Sequence, residues 1–137
     1  MIRYVIDASV VLVALLESRK DLVDNAKKIF LSAKNGRVEL VSSSFLKMEV
    51  ANGLRFNEKD SEKATKIYRG FLDLPIKFIS LSKNLYQKSL FNAYKLGTTV
   101  YDTSYHILAK ARNATFLTCD EDYYQKAKGL GDIKLLI

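Results

Sequence analysis

The sequence has little of what marks disulfide-stabilised or multidomain proteins. Its 137 residues include one cysteine, Cys119, and one proline, Pro75, and tryptophan is absent. A single cysteine excludes an internal disulfide, and no second cysteine or histidine stands at the spacing of a zinc site. Because no Pro-, Gly- or Ser-rich stretch divides the chain, we expect one domain over residues 1–137.

Long apolar runs are also missing. The longest, residues 10–16, is far shorter than the ~20 residues that a helix needs to cross a bilayer. Asp7 stands just before this run and no small-residue cleavage site follows it, so we expect no signal peptide. These features predict a cytoplasmic protein without membrane association. Neither glycine-rich pattern of phosphate-cradling nucleotide folds occurs.

The charge of the chain is basic, with 22 Lys and Arg against 15 Asp and Glu and a formal net charge of +7. Such a surface suits a polyanionic substrate, whose phosphates are attracted by Lys and Arg. A lysine-rich surface also serves solubility, and the basic residues here are scattered rather than gathered in a tail. Charge alone therefore supports nucleic-acid binding only weakly.

Strand-like and helix-like segments alternate along the chain, which predicts an α/β domain with a parallel sheet covered on both faces. The predicted strands are residues 3–6, 38–41, 76–79, 115–118 and 133–136. The predicted helices are residues 9–16, 22–33, 44–56, 62–72, 85–95, 101–112 and 120–128.

Four acidic residues fall at positions where the predicted topology would bring them together. Asp7 follows a predicted strand directly and Asp120 follows one after a single residue, Cys119, whereas Glu49 and Asp102 lie near the starts of helices. Ligands of open α/β sheets bind beyond the carboxyl ends of the strands, near the point where the strand order reverses. The four carboxylates are therefore expected to converge at this edge.

Each acid also has a structural interpretation. Asp7 could cap a helix, but Ser9 is available for that role, which leaves Asp7 for function. Asp102 could simply stabilise the dipole of its helix. Thr118 and Glu121 fit the spacing of a capping box, which leaves Asp120 unexplained.

Glu49 has apolar neighbours at helical spacing, including Phe45 and Leu46. A glutamate there should be paired, bound to a metal or at the edge of the core, and a nearby lysine could be its partner. His106 is the only histidine, and no set of nucleophile, base and orienting residue can be drawn around it.

A cluster of carboxylates without Cys or His selects Mg²⁺ or Mn²⁺ over zinc, because these cations prefer hard oxygen ligands. We expect Asp7, Asp102 and Asp120 to hold the metal directly, and Glu49 to act directly or through bound water. Such a site would cleave phosphodiester bonds by activating water.

The sequence around the four acids resembles the PIN domain family of ribonucleases, over essentially the whole chain. The resemblance is carried by four short segments in the family's order and spacing: Ile6-Asp7-Ala8-Ser9, Glu49-Val50-Ala51-Asn52-Gly53-Leu54, Tyr101-Asp102-Thr103-Ser104-Tyr105 and Thr118-Cys119-Asp120. Among PIN proteins, a short chain of this kind is most similar to the VapC toxins of prokaryotic toxin–antitoxin pairs.

The resemblance implies a sheet of about five parallel strands in the order 3-2-1-4-5. It implies a ribonuclease that uses one or two Mg²⁺ or Mn²⁺ ions at a catalytic and metal site formed by Asp7, Glu49, Asp102 and Asp120. It also implies an RNA substrate, a cognate antitoxin and a homodimer. Ser9 and Thr118 would be polar neighbours of the site.

Asp122 could be a fifth acid of the site or part of the start of a helix, and the second interpretation is favoured. A PIN-like module that binds RNA or a partner without cleaving it remains the main alternative. A phosphatase or receiver-type domain with Asp7 as phosphoryl acceptor fits less well. A haloacid dehalogenase-like phosphatase would need a second aspartate at position 9, where this chain has Ser9.

Overall fold

The computed structural model describes all 137 residues and has a parallel β-sheet at its centre. The five strands are β1 (Ile2–Ile6), β2 (Val38–Ser43), β3 (Ile76–Ile79), β4 (Thr115–Thr118) and β5 (Ile133–Leu135). The seven helices are α1 (Ala8–Leu16), α2 (Val23–Lys34), α3 (Leu46–Asn57), α4 (Ser61–Leu72), α5 (Lys83–Leu96), α6 (Val100–Ala111) and α7 (Glu121–Ala127). None of these helices is both long and apolar enough to cross a membrane.

The strand order is β3-β2-β1-β4-β5, and every neighbouring pair is parallel. The order therefore reverses between β1 and β4, whose residues Val5 and Phe116 are register partners. Crossovers between parallel strands are right-handed, so the helices of the first half and those of the second half cover opposite faces of the sheet. The predicted α/β fold and its strand order are confirmed.

The core lies between the sheet and these helices. The apolar residues of β1, β2 and β4 are nearly all buried, as expected for central strands covered on both faces. Helix α6 packs across β1, β2 and β4, and seven consecutive residues from Thr103 to Ala109 are buried. This helix is thereby held rigidly, with its first turn at the edge where the strands end.

One predicted strand is longer than expected. The apolar pattern ends at Val41, but β2 continues through Ser42 and Ser43, which are in register with Phe78 and Ile79 of β3. The Ser42 hydroxyl donates a hydrogen bond to the Ile6 carbonyl at 2.7 Å, so a buried serine is tolerated in the strand. The extension brings two serine residues to the carboxyl edge of the sheet.

Candidate active site

Asp7 lies between β1 and α1, at the point where the strand order reverses. Its side chain is buried and is held at both oxygens. The Ser9 hydroxyl donates to Oδ1 at 2.5 Å and the Thr118 hydroxyl donates to Oδ2 at 2.6 Å. These bonds join the ends of β1 and β4 through one carboxylate. The polar neighbours Ser9 and Thr118 thus contact Asp7, as the sequence indicated.

Asp7 also caps α1, because its Oδ1 accepts from the backbone N–H groups of Ser9 at 3.1 Å and Val10 at 3.4 Å. The expectation that Ser9 would take this role is wrong. The strand passes into the helix with Asp7 as the only intervening residue, so the Asp7 carboxylate is the group within reach of these donors.

Burial raises the pKa of Asp7 to about 6. Hydrogen bonds from Ser9, Thr118 and Val10 oppose this shift, whereas the charge of Asp102 adds to it. The Asp102 carboxylate is therefore close enough to Asp7 to destabilise its ionised form.

Glu49 lies in the first turn of α3 and is half-buried. Its Oε1 accepts a hydrogen bond from the hydroxyl of Tyr105, a fully buried residue of α6. Burial raises the pKa of Glu49, the hydrogen bond from Tyr105 lowers it, and the charge of Asp102 raises it further. The sequence suggested a paired glutamate, but the partner is a tyrosine and not a lysine.

Asp102 interacts electrostatically with each of the other three acids. It lies in the first turn of α6, where its N–H donates to the capping hydroxyl of Thr99 at 3.1 Å. Burial raises the pKa of Asp102, and the charge of Asp120 contributes to the increase. Because Asp102 also raises the pKa of Asp7 and Glu49, it lies within electrostatic reach of all three other acids.

Asp120 caps α7, since its Oδ1 accepts from the N–H of Tyr123 at 3.0 Å. The capping box predicted for Thr118 and Glu121 is wrong, because the Thr118 hydroxyl donates to Asp7 and accepts from the N–H of Asp120. The strand ends at Thr118, two residues before the cap, and its side chain faces Asp7 rather than the start of the helix.

No cation of the protein neutralises these carboxylates. The five salt bridges of the chain are elsewhere and involve none of the four acids. At an effective dielectric near 20, two carboxylates about 4 Å apart repel by about 4 kcal/mol. An all-oxygen donor set that lacks an internal cation fits a hard divalent ion in its chemistry. No three His, Cys, Asp or Glu side chains are spaced to hold an ion, so sharing one would require the carboxylates to move closer together.

The side chains of the other titratable residues singled out in the sequence hydrogen-bond none of the four acids. His106 is buried and contacts the Tyr123 hydroxyl at 2.8 Å and the Gly131 carbonyl at 2.7 Å. Burial lowers the pKa of His106. Cys119 is buried and free. Asp122 is exposed in the first turn of α7 and makes no hydrogen bond or salt bridge through its side chain.

Tyr105 is the residue of this region that sequence reasoning missed. Its type and position do not mark it as functional, because a tyrosine in a buried helix is ordinarily a core residue. A signal was available in its spacing, since Tyr105 stands three residues after Asp102 and so lies on the same side of α6.

The chain matches the family model of the PIN domain over residues 4–129. No curated protein sequence matches it. Among solved structures, VapBC2 from Rickettsia felis, bound to a DNA fragment from its promoter, is 21% identical, with a TM-score of 0.68 and coverage of 98% of this chain and 97% of that one. VapC20 from Mycobacterium tuberculosis, described as a sarcin–ricin loop cleaving toxin, is 11% identical, with a TM-score of 0.74 and coverage of 98% and 99%. DNA-bound VapBC from Salmonella typhimurium is 15% identical, with a TM-score of 0.66 and coverage of 98% and 97%.

Proposed function

Because this chain belongs to the PIN domain family, we propose that it is a metal-dependent endoribonuclease whose site consists of Asp7, Glu49, Asp102 and Asp120. The observation that supports the proposal is that Asp102 lies within electrostatic reach of the other three acids and that none of the four has a salt-bridge partner, in a chain of net charge +7. The group lies at the carboxyl edge of β1 and β4, where ligands of open α/β sheets bind.

Asp7, Asp102 and Asp120 would hold Mg²⁺ or Mn²⁺ directly, and Glu49 would contact it directly or through water. When bound, one or two such ions polarise a phosphate and lower the pKa of water. The orientation of two of these carboxylates, those of Asp7 and Glu49, is set by hydrogen bonds from neighbouring hydroxyls.

Hydrogen bonds within the protein orient these carboxylates. Hydroxyls of Ser9 and Thr118 fix both oxygens of Asp7, so the carboxylate cannot rotate away from the edge of the sheet. Tyr105 fixes Oε1 of Glu49 and leaves Oε2 without a hydrogen bond from the protein. This free oxygen is the one that would contact the cation directly or through water. Attack by water in line with the P–O3′ bond would break that bond, and the departing 3′-oxygen would take up a proton, leaving 5′-phosphate and 3′-hydroxyl ends.

The test is cleavage of a mixed RNA pool in Mg²⁺, in Mn²⁺ and with chelator, by the wild type and by Asp102→Asn. We expect metal-dependent cutting that falls by a factor of about 100 or more in the variant, because the residue that links the other acids loses its charge. Asp24→Asn is the matched control, since Asp24 is also an acid in the first turn of a helix but lies on α2. Absence of cutting by folded, metal-loaded wild type would favour the alternative of a binding module.

We further propose that the chain is the toxin of a toxin–antitoxin pair, forms a homodimer and is held inactive by a cognate antitoxin. Its fold similarity to proteins of VapBC systems supports this proposal. Expression of the wild type should arrest growth, whereas expression of Asp102→Asn at the same level should not. Normal growth with active, soluble wild type would count against the toxin assignment.

A further inference from the structure

We propose that a cavity at the carboxyl ends of β2 and β3 binds one unpaired nucleobase of the substrate, next to the phosphate that is cut. The inference rests on the proposed ribonuclease function and adds a subsite that determines which base is accepted. The cavity measures about 180 Å³ and is lined by Ser43 and Ile79 at the strand ends and by the rings of Phe45, Tyr86 and Tyr101.

The cavity borders the acids through two direct connections in the chain. Tyr101 immediately precedes Asp102 on α6. Phe45 stands one helical turn before Glu49, whose N–H donates to the Phe45 carbonyl at 3.1 Å. A base in the cavity would therefore belong to a nucleotide adjacent to the one whose phosphate meets the carboxylates. None of the four acids lines the cavity itself, and none lines the cleft of about 470 Å³ between α3 and α4, but only the cavity has lining residues next to Asp102 and one helical turn before Glu49.

The aromatic wall of the cavity is already arranged for stacking. The rings of Phe45 and Tyr101 lie 5.1 Å apart between centroids and are inclined by only 11°. Both remain solvent-exposed, at 41% for Phe45 and 60% for Tyr101. Proteins recognise single-stranded RNA by stacking its unpaired bases on such side chains. The stacked pair offers a flat face on which a base can continue the stack.

The polar wall has a hydrogen-bonding group without a partner. Ser43 Oγ is the one buried side-chain oxygen or nitrogen of the protein that makes no hydrogen bond. Its polar neighbour is the Tyr105 hydroxyl, whose proton is donated to Glu49. Ser43 is one of the residues that line the cavity, although its Oγ is itself covered. Because buried polar groups are almost always satisfied, a hydroxyl without a partner at this position indicates a ligand that completes it once the side chain turns toward the cavity. The edge of a base offers both donors and acceptors.

Size and charge also favour a base. Pockets for drug-sized ligands measure roughly 300–1,000 Å³, so a cavity of about 180 Å³ suits a single flat ring system. The net charge of +7 attracts the phosphates that flank such a base. An apolar protein segment would cover the exposed rings without drawing on this charge, and the test below distinguishes it from a base.

The first arm of the test measures binding without cleavage. Affinities for labelled single-stranded U, A, C and G homo-oligonucleotides are compared in chelator for the wild type and variants. Tyr101→Ala should weaken binding roughly 5- to 150-fold, the range for loss of one stacking side chain, whereas Tyr101→Phe should retain it. Tyr94→Ala is the matched control, because Tyr94 is 84% exposed on α5 and does not line the cavity.

The Ser43→Ala variant tests whether the Ser43 hydroxyl binds the base or has only a structural role. The variant should change the order of affinity for the four oligonucleotides while its melting temperature stays the same or rises, because a buried unsatisfied group is removed. A clear fall in melting temperature with unchanged base preference would overturn the role assigned to Ser43.

The second arm maps the bases beside the cut in a random RNA pool. Tyr101→Ala and Ser43→Ala should alter the base preference, and Tyr94→Ala should not.

If the wild type cuts RNA and all variants keep its base preference, the proposed base site is overturned and the proposed ribonuclease function stands. If the wild type does not cut but Tyr101→Ala still weakens oligonucleotide binding, the ribonuclease fails and the base site stands. If Tyr101→Ala alters only self-association or partner binding, the surface is a protein interface and the proposal is overturned.

Discussion

Asp7 is the carboxylate whose ionisation costs the folded protein most. It is buried, and Asp102 adds a like charge, whereas three donors stabilise its ionised form. The net result is a pKa of about 6, against 3.8 for an unperturbed aspartate. A buried residue of this kind makes the stability of the metal-free protein depend on pH in a definite direction.

Between pH 3.8 and about 6, folded Asp7 keeps a proton that the unfolded chain has lost. The free energy of unfolding of metal-free protein should therefore fall as pH rises through this window, by about 3 kcal/mol at most. Urea denaturation in chelator from pH 4 to 7.5 measures this. Asp7→Asn should flatten the curve and exceed the wild type in stability at pH 7, whereas Asp24→Asn should follow the wild type. Parallel curves for wild type and Asp7→Asn would contradict the burial argument.

Tyr105 acts on the site only through Glu49, as a positioning residue. Tyr105→Phe removes the hydroxyl that fixes Glu49 Oε1 and leaves the fold intact, because the ring remains in the core. We expect the Mn²⁺ concentration for half-maximal cleavage to rise roughly 10- to 100-fold, the usual cost of losing a group that orients a metal ligand.

A Mn²⁺ titration of the cleavage rate measures this effect. Tyr68→Phe is the matched control, because the Tyr68 hydroxyl donates to the Lys47 carbonyl at 2.6 Å, and neither residue hydrogen-bonds any of the four acids. Equal Mn²⁺ requirements for Tyr105→Phe and wild type would show that Glu49 needs no such support.

At the residue scale, the sequence singled out the acidic residues but did not identify the groups that hydrogen-bond to them. Asp7 and Asp120 were found because each follows a strand. Their capping roles and the Tyr105 partner of Glu49 depend on which donors lie within about 3 Å, which spacing along the chain does not determine.

At the scale of elements, the ends of helices follow backbone conformation. Helix α5 ends at Gly97, which adopts the left-handed conformation with φ 69°. Gly70 instead lies within α4, where an added Cβ would contact nothing. Glycine is thus required at position 97, whereas at position 70 it is less favourable than alanine.

Gly97→Ala should lower the free energy of unfolding by roughly 1–2 kcal/mol, because a Cβ is strained in the left-handed conformation. Gly70→Ala should raise it by about 0.5–1 kcal/mol, because alanine favours the helix interior. Chemical denaturation of both variants at one pH measures these shifts. Shifts of the same sign would contradict the assigned helix ends.

Periodicity predicted each strand and helix to within a few residues, because the central strands are continuous apolar runs and the helices are amphipathic. It failed at the end of β2, where Ser42 and Ser43 interrupt the apolar pattern. Pairing with β3 and the hydrogen bond from Ser42 to Ile6 hold these serines in the strand, and both are tertiary contacts.

At the scale of the whole molecule, topology gathers acids that are far apart in the sequence. The reversal of strand order between β1 and β4 places Asp7 beside Thr118, 111 residues later. The alternation of strands and helices predicted that these strand ends meet, since carboxyl ends of parallel strands share one edge. The spacing of the carboxylates could not be predicted, because it depends on side-chain rotamers and on the cation they would share.

The proposed function depends most directly on the binding of a divalent cation by these four carboxylates. Mn²⁺ uptake by metal-free protein, followed by electron paramagnetic resonance of the free ion, tests it without any RNA. We predict that the wild type and Asp24→Asn bind one or two ions and that Asp102→Asn loses at least about tenfold in affinity. A folded wild type that binds no Mn²⁺, or an Asp102→Asn variant that binds it equally well, would contradict the claim.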